Sequence, residues 1–193
     1  GSSCHVHISL NNKDGSSAIG TKEGGLSKIG QHFLAGLVNF APDFMALYGP
    51  YSNSYKRLQP GSLAPSNSSW GWDNRSVMVR AMGDKALRFE FRLPGADANP
   101  YWIISAILAS GIAGINNELE PPDPVEGNAY EADAQPIPMD LNESVQAFSV
   151  SDVAMEAFGP QVFRHLLRLC EHERDVGRRA VTDWEISRGF ERA

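Results

Sequence analysis

Two short alternating segments constrain this chain more than anything else in it. Residues 4–10 set Cys4, Val6, Ile8 and Leu10 on one side and His5, His7 and Ser9 on the other. Residues 87–92 do the same with Leu87, Phe89 and Phe91 against Arg88, Glu90 and Arg92. A period of two marks a strand with one apolar and one polar face. Each segment therefore predicts a strand whose apolar side lies on a core. If the two strands share a sheet, the imidazoles and the Arg-x-Glu-x-Arg stripe line one cavity.

The remaining patterns supply the frame around such a sheet. Leu26, Ile29, Phe33, Leu37 and Phe40 recur at helical spacing, and Pro42 suits the start of a second, short helix. Residues 49–72 contain three prolines, three glycines and many serines and asparagines. An irregular stretch that long is usually functional. Residues 75–80 read as a further strand, joined to 87–92 through Gly83-Asp84 as a hairpin. Asn99-Pro100 offers an N-cap and a first-turn proline. The helix that follows has Ile103, Ile104, Ile107, Leu108, Ile112 and Ile115 over most of its circumference, which predicts a buried helix, with Gly111 and Gly114 permitting close packing. Residues 120–140 are acidic and proline-rich, as in a surface connection. Ser151 caps one of the short helices beyond it. Residues 160–192 form a long Arg-rich amphipathic stretch with Phe163, Leu166, Leu167 and Cys170 inward. Together these elements predict an α+β fold with an antiparallel sheet and a helical C-terminal region.

At 193 residues and 42% hydrophobic, the chain can bury one sizeable core. A net charge of -6 and a pI near 5.3 argue against nucleic acid as a partner. The charge is unevenly spread, however. Residues 56–92 hold seven basic and three acidic residues, whereas residues 93–163 hold no Lys or Arg and eleven acidic residues. A basic block inside an acidic protein suits an anionic ligand, phosphate or carboxylate, although a solvated face laced with ion pairs has the same composition. Cys4 and Cys170 read as two free thiols of a reducing compartment. No signal peptide is visible, and residues 101–115 are too short to span a membrane. The expectation is a cytoplasmic protein with no membrane partner.

An imidazole and a carboxylate can hold Mg²⁺ or Mn²⁺, and arginines beside them suit phosphate or carboxylate groups. On spacing alone, His-x-His reads equally as two hydrogen-bonded histidines, and Arg-x-Glu-x-Arg as a cross-strand ion-pair ladder. The chain has no Walker or Rossmann glycine loop, no Gly-x-Ser-x-Gly elbow and no cysteine pair with zinc spacing. The residues by themselves lead to an enzyme domain that uses a divalent metal and a phosphate-bearing substrate.

Taken in order, five motifs resemble the glutamine synthetase family. They are Gly1-Ser2-Ser3-Cys4-His5-Val6-His7-Ile8-Ser9-Leu10, Asn53-Ser54-Tyr55-Lys56-Arg57-Leu58 with Pro60-Gly61, Asn74-Arg75-Ser76 with Arg80, Arg88-Phe89-Glu90-Phe91-Arg92, and Ala98-Asn99-Pro100-Tyr101. The resemblance implies a sheet that forms part of a glutamine synthetase-type catalytic barrel. It also implies that residues 1–193 are the C-terminal portion of that catalytic domain, without the N-terminal domain and the upstream half. The family reaction phosphorylates the γ-carboxylate of glutamate with ATP, and an amine then displaces the phosphate. The resemblance assigns His5 and Glu90 to the metal, Mg²⁺ or Mn²⁺. It assigns His7, Ser9, Arg75, Arg80, Lys85 and Arg88 to ATP, and Gly1, Arg57 and Arg92 to glutamate. Arg75 and Arg92 act at the reacting groups. Arg75 and Arg80 have opposite parity on a regular strand, so both reach one site only through a bulge or a strand end. For the complete protein the resemblance implies a ring-type homo-oligomer, and for the isolated 193 residues no turnover.

One departure from the family pattern bears on the substrate. Ammonia-using members carry a glutamate in Arg-Leu-x-Pro-Gly-x-Glu-Ala-Pro, and here Leu63 stands at that position. Leucine cannot accept a proton or attract a small cation. The stretch Ser69-Trp70-Gly71-Trp72-Asp73-Asn74-Arg75 resembles the branch that glutamylates larger amines, including polyamines. Trp70 or Trp72 is either an alkylammonium contact or part of the core. The expected activity is a glutamate–amine ligase acting on a substituted amine. Ammonia-using glutamine synthetase and a noncatalytic structural relative are the alternatives. Tyr130 lies near the place where some bacterial members carry an adenylylated tyrosine, and it reads here as an ordinary surface tyrosine.

Overall fold

The computed structural model describes residues 2–83, 86–190 and 192. The two alternating segments form β1 (Val6–Ile8) and a strand Arg88–Phe91. Four more lie between or beyond them: β2 (Asn67–Ser68), β3 (Trp70–Trp72), β4 (Val79–Met82) and β6 (Gln135–Pro136), which makes Arg88–Phe91 β5. The main sheet has the order β1-β5-β4-β3, and β2 pairs with β6. β1 and β5 run antiparallel with Val6 opposite Phe91, His7 opposite Glu90 and Ile8 opposite Phe89. β4 and β5 are also antiparallel, with Arg80 opposite Glu90. Residues opposite one another share a face, so His7, Glu90 and Arg80 stand in one row across three strands. Phe89, Phe91, Val79 and Ala81 fill the other side and are buried.

Two details differ from the expected sheet. β3 pairs with β4 in parallel, Trp70 opposite Val79 and Trp72 opposite Ala81. Only residues 73–78 connect them, far fewer than an ordinary parallel crossover needs. The tight return is held by Met78 N and Val79 N, which both donate to Ser69 O, and by Asp73 N, which donates to Ala81 O. The strand expected over 75–80 also starts later. Asn74 Oδ1 accepts from Ser76 N at 2.9 Å, a local turn that competes with pairing. Arg75 therefore lies in a bend, and the parity conflict with Arg80 disappears.

Helix α1 (Lys28–Asn39) covers the apolar face and α3 (Pro100–Asn116) packs against α1, with the short α2 (Met45–Tyr48) between them in sequence. Ser27 caps α1 by accepting from Gly30 N. Asn99 caps α3 by accepting from Tyr101 N, ahead of Pro100. The two long helices approach closely at their glycines: a Cβ on Gly36 would stand 2.1 Å from Ser110 O, and one on Gly114 2.2 Å from His32 O. Phe33 of α1 stacks on Phe89 at 6.3 Å, and Tyr48 meets Phe91 edge-on at 5.1 Å. α3 is not buried all round. Ile103, Ala106 and Ile107 face the core, whereas Ile104 and Ile112 are 48% and 51% exposed. Leu108 and Ile112 face an open cleft shared with Val153 and Phe158 of the C-terminal helices rather than a packed core, and apolar composition alone cannot bury a face.

The C-terminal region is helical, as expected. α4 (Leu141–Ser149), α5 (Asp152–Arg179) and α6 (Asp183–Gly189) follow the acidic connection. Ser151 caps α5 by accepting from Ala154 N. α5 is broken at Gly159, φ 69°, just before Pro160. Phe163, Leu166 and Cys170 turn inward, and Phe148 stacks on Phe163. Cys4 and Cys170 are both free, and burial pushes the Cys170 thiol up to about 12. Among the described residues no helix is long and apolar enough to cross a membrane.

Candidate active site

The polar face of the sheet opens into a cavity of about 550 Å³. His5, Arg57, Arg75, Arg80, Glu90 and Arg92 line it, together with Ser62, Leu63 and Ala64 of the irregular loop. Six residues expected at the site are thus brought together from the residue just before β1, a 3-10 turn (Ser54–Arg57), the bend before β4, β4 itself and β5 with its end.

Glu90 stands at the centre. It is 6% exposed. Its Oε2 accepts from Arg92 Nη1 at 3.1 Å and from Arg80 Nη1 at 3.3 Å, while Oε1 lies 3.1 Å from His5 Nδ1. Burial opposes its ionisation. The Arg92 charge, the hydrogen bonds from Arg92 and Arg80 and the proximity of His5 outweigh burial and hold the carboxyl below the usual glutamate range. Burial and the Arg92 charge, opposed by Glu90, lower His5 below the ordinary histidine value. The neutral imidazole favoured in this way is the form that ligates metals. Arg80 is shared, since its Nε and Nη2 also donate to Asp73.

Arg92 is the most constrained of the arginines. Nη2 donates to Leu63 O at 3.1 Å and to Arg75 O at 2.9 Å, and Nη1 donates to Glu90. Of its five N–H groups, one on Nη1 and that of Nε remain, and Nε is buried without a partner among the described residues. Arg57 donates from Nη2 to Leu93 O. Its other donors have no protein partner among the described residues. Burial, opposed by Asp97 and aided by Arg92, lowers its pKa, yet a guanidinium stays charged throughout the physiological range.

The other expected residues fall elsewhere. Arg88 lines a neighbouring cleft of about 700 Å³ with Trp72, Asp73, Met82, Gly83 and residues 22–25. The Nε2 of His7 lies 3.9 Å from Glu90 Oε1, with its ring half exposed, and His7 belongs to the edge of the first cavity rather than its lining. Ser9 is exposed beyond the end of β1 and lines neither space. Gly1 and Lys85 lie outside the described residues. Trp70 donates from Nε1 to Pro122 O and is 5% exposed on the far side of the sheet, so it is a core residue. Trp72 lines the second cleft, not the cavity with Leu63. Asp73 was not singled out from the sequence, and Tyr130 was read there as an ordinary surface tyrosine. Asp73 anchors Arg80, and its signal was an acidic residue within the basic block. Tyr130 is half-buried rather than a free surface residue, and its hydroxyl donates to Ala64 O at 3.0 Å. No local pattern announced that contact.

The Glu90 carboxylate and the His5 imidazole, 3.1 Å apart, can supply two ligands of a six-coordinate divalent cation. Among the described residues no group of three or more His, Cys, Asp or Glu gathers closely enough to hold a metal alone. His5 and Glu90 therefore fit a divalent cation as partial ligands.

The sheet face thus gathers guanidiniums around one carboxylate–imidazole pair, a charge arrangement that suits a polyanionic ligand. The family model described as glutamine synthetase, catalytic domain, matches residues 1–189, and the chain belongs to that family. Gamma-glutamylethanolamide synthetase GlnA4 of Streptomyces coelicolor is 46% identical over 193 residues, which is 100% of this chain and 42% of that protein. Glutamate–isopropylamine ligase of a Pseudomonas species is 42% identical over 195 residues, covering 97% of this chain and 42% of that protein. A solved complex of GmaS with ADP matches with a TM-score of 0.88 at 30% identity, over 99% of this chain and 46% of that one. The chain thus spans less than half the length of these relatives.

Proposed function

We propose that this chain is the C-terminal portion of the catalytic domain of a glutamate–amine ligase. The complete enzyme would join the γ-carboxylate of L-glutamate to a substituted amine, with ATP as co-substrate and γ-glutamyl phosphate as intermediate. The observation that carries the choice of amine is Leu63 in the cavity wall, 60% exposed. A leucine there offers an alkyl group an apolar contact and offers ammonium no base. Relatives named for a γ-glutamylethanolamide product and for isopropylamine as the ligated amine support the same reading.

In this proposal Arg57 and the remaining Nη1 donor of Arg92 hold glutamate carboxylates. Arg75 and Arg80 face the phosphates. A γ-carboxylate oxygen attacks the terminal phosphorus, the bond to ADP breaks, and the guanidiniums offset the charge gathering on the transferred group. The neutral amine then attacks the acyl carbon. The carbon–oxygen bond to phosphate breaks, and the amine gives up a proton. His5 and Glu90 would hold Mg²⁺ or Mn²⁺, which when bound neutralises phosphate charge. Arg88, in the neighbouring cleft, together with His7, Ser9 and Lys85, would serve the nucleotide end, and Gly1 would contact glutamate. The remaining metal ligands would come from the upstream half. Apolar side chains left exposed on α3 and α6, Ile112 and Trp184 among them, support a larger assembly such as a ring-type homo-oligomer. The free thiols suit a cytoplasmic location.

The test is phosphate release by the complete protein with ATP, Mg²⁺ and glutamate, comparing ammonia with ethanolamine, isopropylamine, putrescine and spermidine. The reading expects a preference for a substituted amine. Preference for ammonia would make the enzyme a glutamine synthetase, and no release with any amine would favour a noncatalytic relative.

A further inference from the structure

The loop that carries Leu63 has little to hold it. Within residues 59–64 the hydrogen bonds are local: Ser62 N donates to Gln59 O, Ser62 Oγ to Arg57 O at 2.8 Å, and Ala64 N to Ser62 Oγ at 3.2 Å. Gly61 has φ 80° and Leu63 φ 61°. The left-handed region costs little at Gly61. At Leu63 it is disfavoured by about as much as one hydrogen bond contributes. The conformation that presents Leu63 to the cavity therefore depends on ties from outside the loop. Among the described residues two hydrogen bonds provide them, on consecutive carbonyls. Arg92 Nη2 donates to Leu63 O at 3.1 Å, and Tyr130 Oη donates to Ala64 O at 3.0 Å.

Tyr130 reaches the loop from a firm base. Its own N–H donates to Asn128 Oδ1 at 3.2 Å. The neighbouring Ala129 donates from N to Ser76 Oγ at 3.0 Å and accepts at O from Asn67 Nδ2 at 2.7 Å. Asn74 Nδ2 donates to Gly127 O at 2.8 Å. The acidic connection is thereby strapped to the bend on either side of Arg75, and Tyr130 reaches from it to the loop carbonyl of Ala64. We propose that Tyr130 is a positioning residue for amine selection: through the Ala64 carbonyl it holds the Leu63 backbone in the conformation that lines the cavity. This inference rests on the amine-ligase reading above. It names a second determinant of specificity, remote in sequence from the loop it sets. Among the described residues Tyr130 makes no hydrogen bond to the carboxylate–imidazole pair or to a cavity arginine side chain, so on this proposal its effect falls on the amine step and not on phosphoryl transfer.

Tyr130→Phe removes the one hydroxyl and keeps the ring. In the complete protein, with ATP and glutamate saturating, the variant should raise KM for the preferred substituted amine about tenfold, the factor that loss of one hydrogen bond gives. Its kcat and its KM for ATP should stay within about twofold. Deuterium exchange of a peptide covering residues 59–65 should quicken in the variant, with exchange over residues 87–93 unchanged. An amine KM within about twofold of the unsubstituted enzyme overturns the inference. A general fall in kcat with every KM unchanged also overturns it, because that is the mark of a merely structural tyrosine. If the unsubstituted protein releases no phosphate with any amine, the functional reading fails separately. The exchange measurement then decides alone: faster exchange in the loop supports the tether, and unaltered exchange overturns it.

Discussion

Glu90→Gln separates two duties of the central carboxylate, holding the arginines and, on the proposed reading, serving as an anionic metal ligand. Its Oε2 receives Arg92 at 3.1 Å and Arg80 at 3.3 Å. At an effective dielectric of about 20, each pair carries roughly 5 kcal/mol of attraction, much of it offset by desolvation. The two arginines do not depend on Glu90 equally. Arg80 keeps Asp73 as a second carboxylate partner. Arg92 is 5% exposed, and its other partners are the neutral carbonyls of Leu63 and Arg75. The loss therefore falls on Arg92. Stranding a buried charge costs about 3–5 kcal/mol, which in a chain of this size lowers Tm by roughly 6–20 °C. Arg92→Met in the same chain removes the stranded charge, so Glu90→Gln/Arg92→Met should recover about half of that loss. Calorimetry on the four proteins of the cycle measures the coupling. A double variant whose loss equals the sum of the two single losses refutes the reasoning. In the complete protein, neither Glu90→Gln nor the double variant should turn over, because recovered stability does not restore an anionic ligand. Turnover regained in the double variant would show that Glu90 acts only through the fold.

Three further outcomes follow from the same geometry. Leu63→Glu in the complete protein should raise the rate with ammonia relative to a substituted amine by about tenfold, since a carboxylate can attract ammonium and accept its proton; an unchanged ratio would remove Leu63 as selector. Gly114→Ala should lower stability by about 1–2 kcal/mol in urea unfolding, because overpacking against His32 O and the Gly36 backbone exceeds the gain in helix propensity of about 1 kcal/mol. An unchanged or raised midpoint would mean that the two helices part without cost. Burial raises the Asp43 carboxyl above its ordinary range, opposed by the Ser151 hydrogen bond and aided by Asp152. A folded pKa above the unfolded one contributes stability below the ordinary Asp value that is lost as pH rises through the folded value. Asp43→Asn can still accept from Ser151 Oγ, so its Tm advantage over the unsubstituted chain should grow between about pH 3 and pH 7; an advantage that shrinks over that range contradicts the assignment.

What the sequence revealed, and what it did not, follows the range of the interactions. The row of His7, Glu90 and Arg80 was legible because period-two alternation needs only neighbouring residues, and a one-residue slip would bury the charges. The caps at Asn99 and Ser151 are likewise local. The place of Arg75 was harder, because a regular strand assigns it the wrong face, and only the turn between Asn74 and Ser76 takes it out of the strand. The parallel pairing of β3 with β4 left no trace in a three-residue strand, whose partner is chosen by tertiary packing. The exposed side of α3 was misread because composition describes a surface and not what covers it. The contact of Tyr130 with Ala64 joins residues 66 positions apart through one hydroxyl and a carbonyl. A backbone acceptor exists at every position, so no residue type marks it.

The arrangement along β5 gives the site its order. Arg88, Glu90 and Arg92 point to one face at alternate positions, so the outer two stand roughly 13 Å apart at the rise of a strand. The Arg92 end meets Arg57 and the Leu63 loop, and the Arg88 end meets Trp72 and Gly83. Asp73 belongs to the Arg88 end yet binds Arg80, which lines the cavity at the Arg92 end. On the proposed reading, one strand aligns nucleotide, phosphate and glutamate, with the carboxylate at the point of transfer. The strand itself holds the charges at fixed spacing, and preorganised charge needs no rearrangement as the phosphoryl group moves. The amine, by contrast, meets a loop held by single hydrogen bonds. On that reading such a division permits the amine to change without disturbing the phosphoryl chemistry, because among the described residues the Leu63 loop is hydrogen-bonded to the β5 stripe through Arg92 alone.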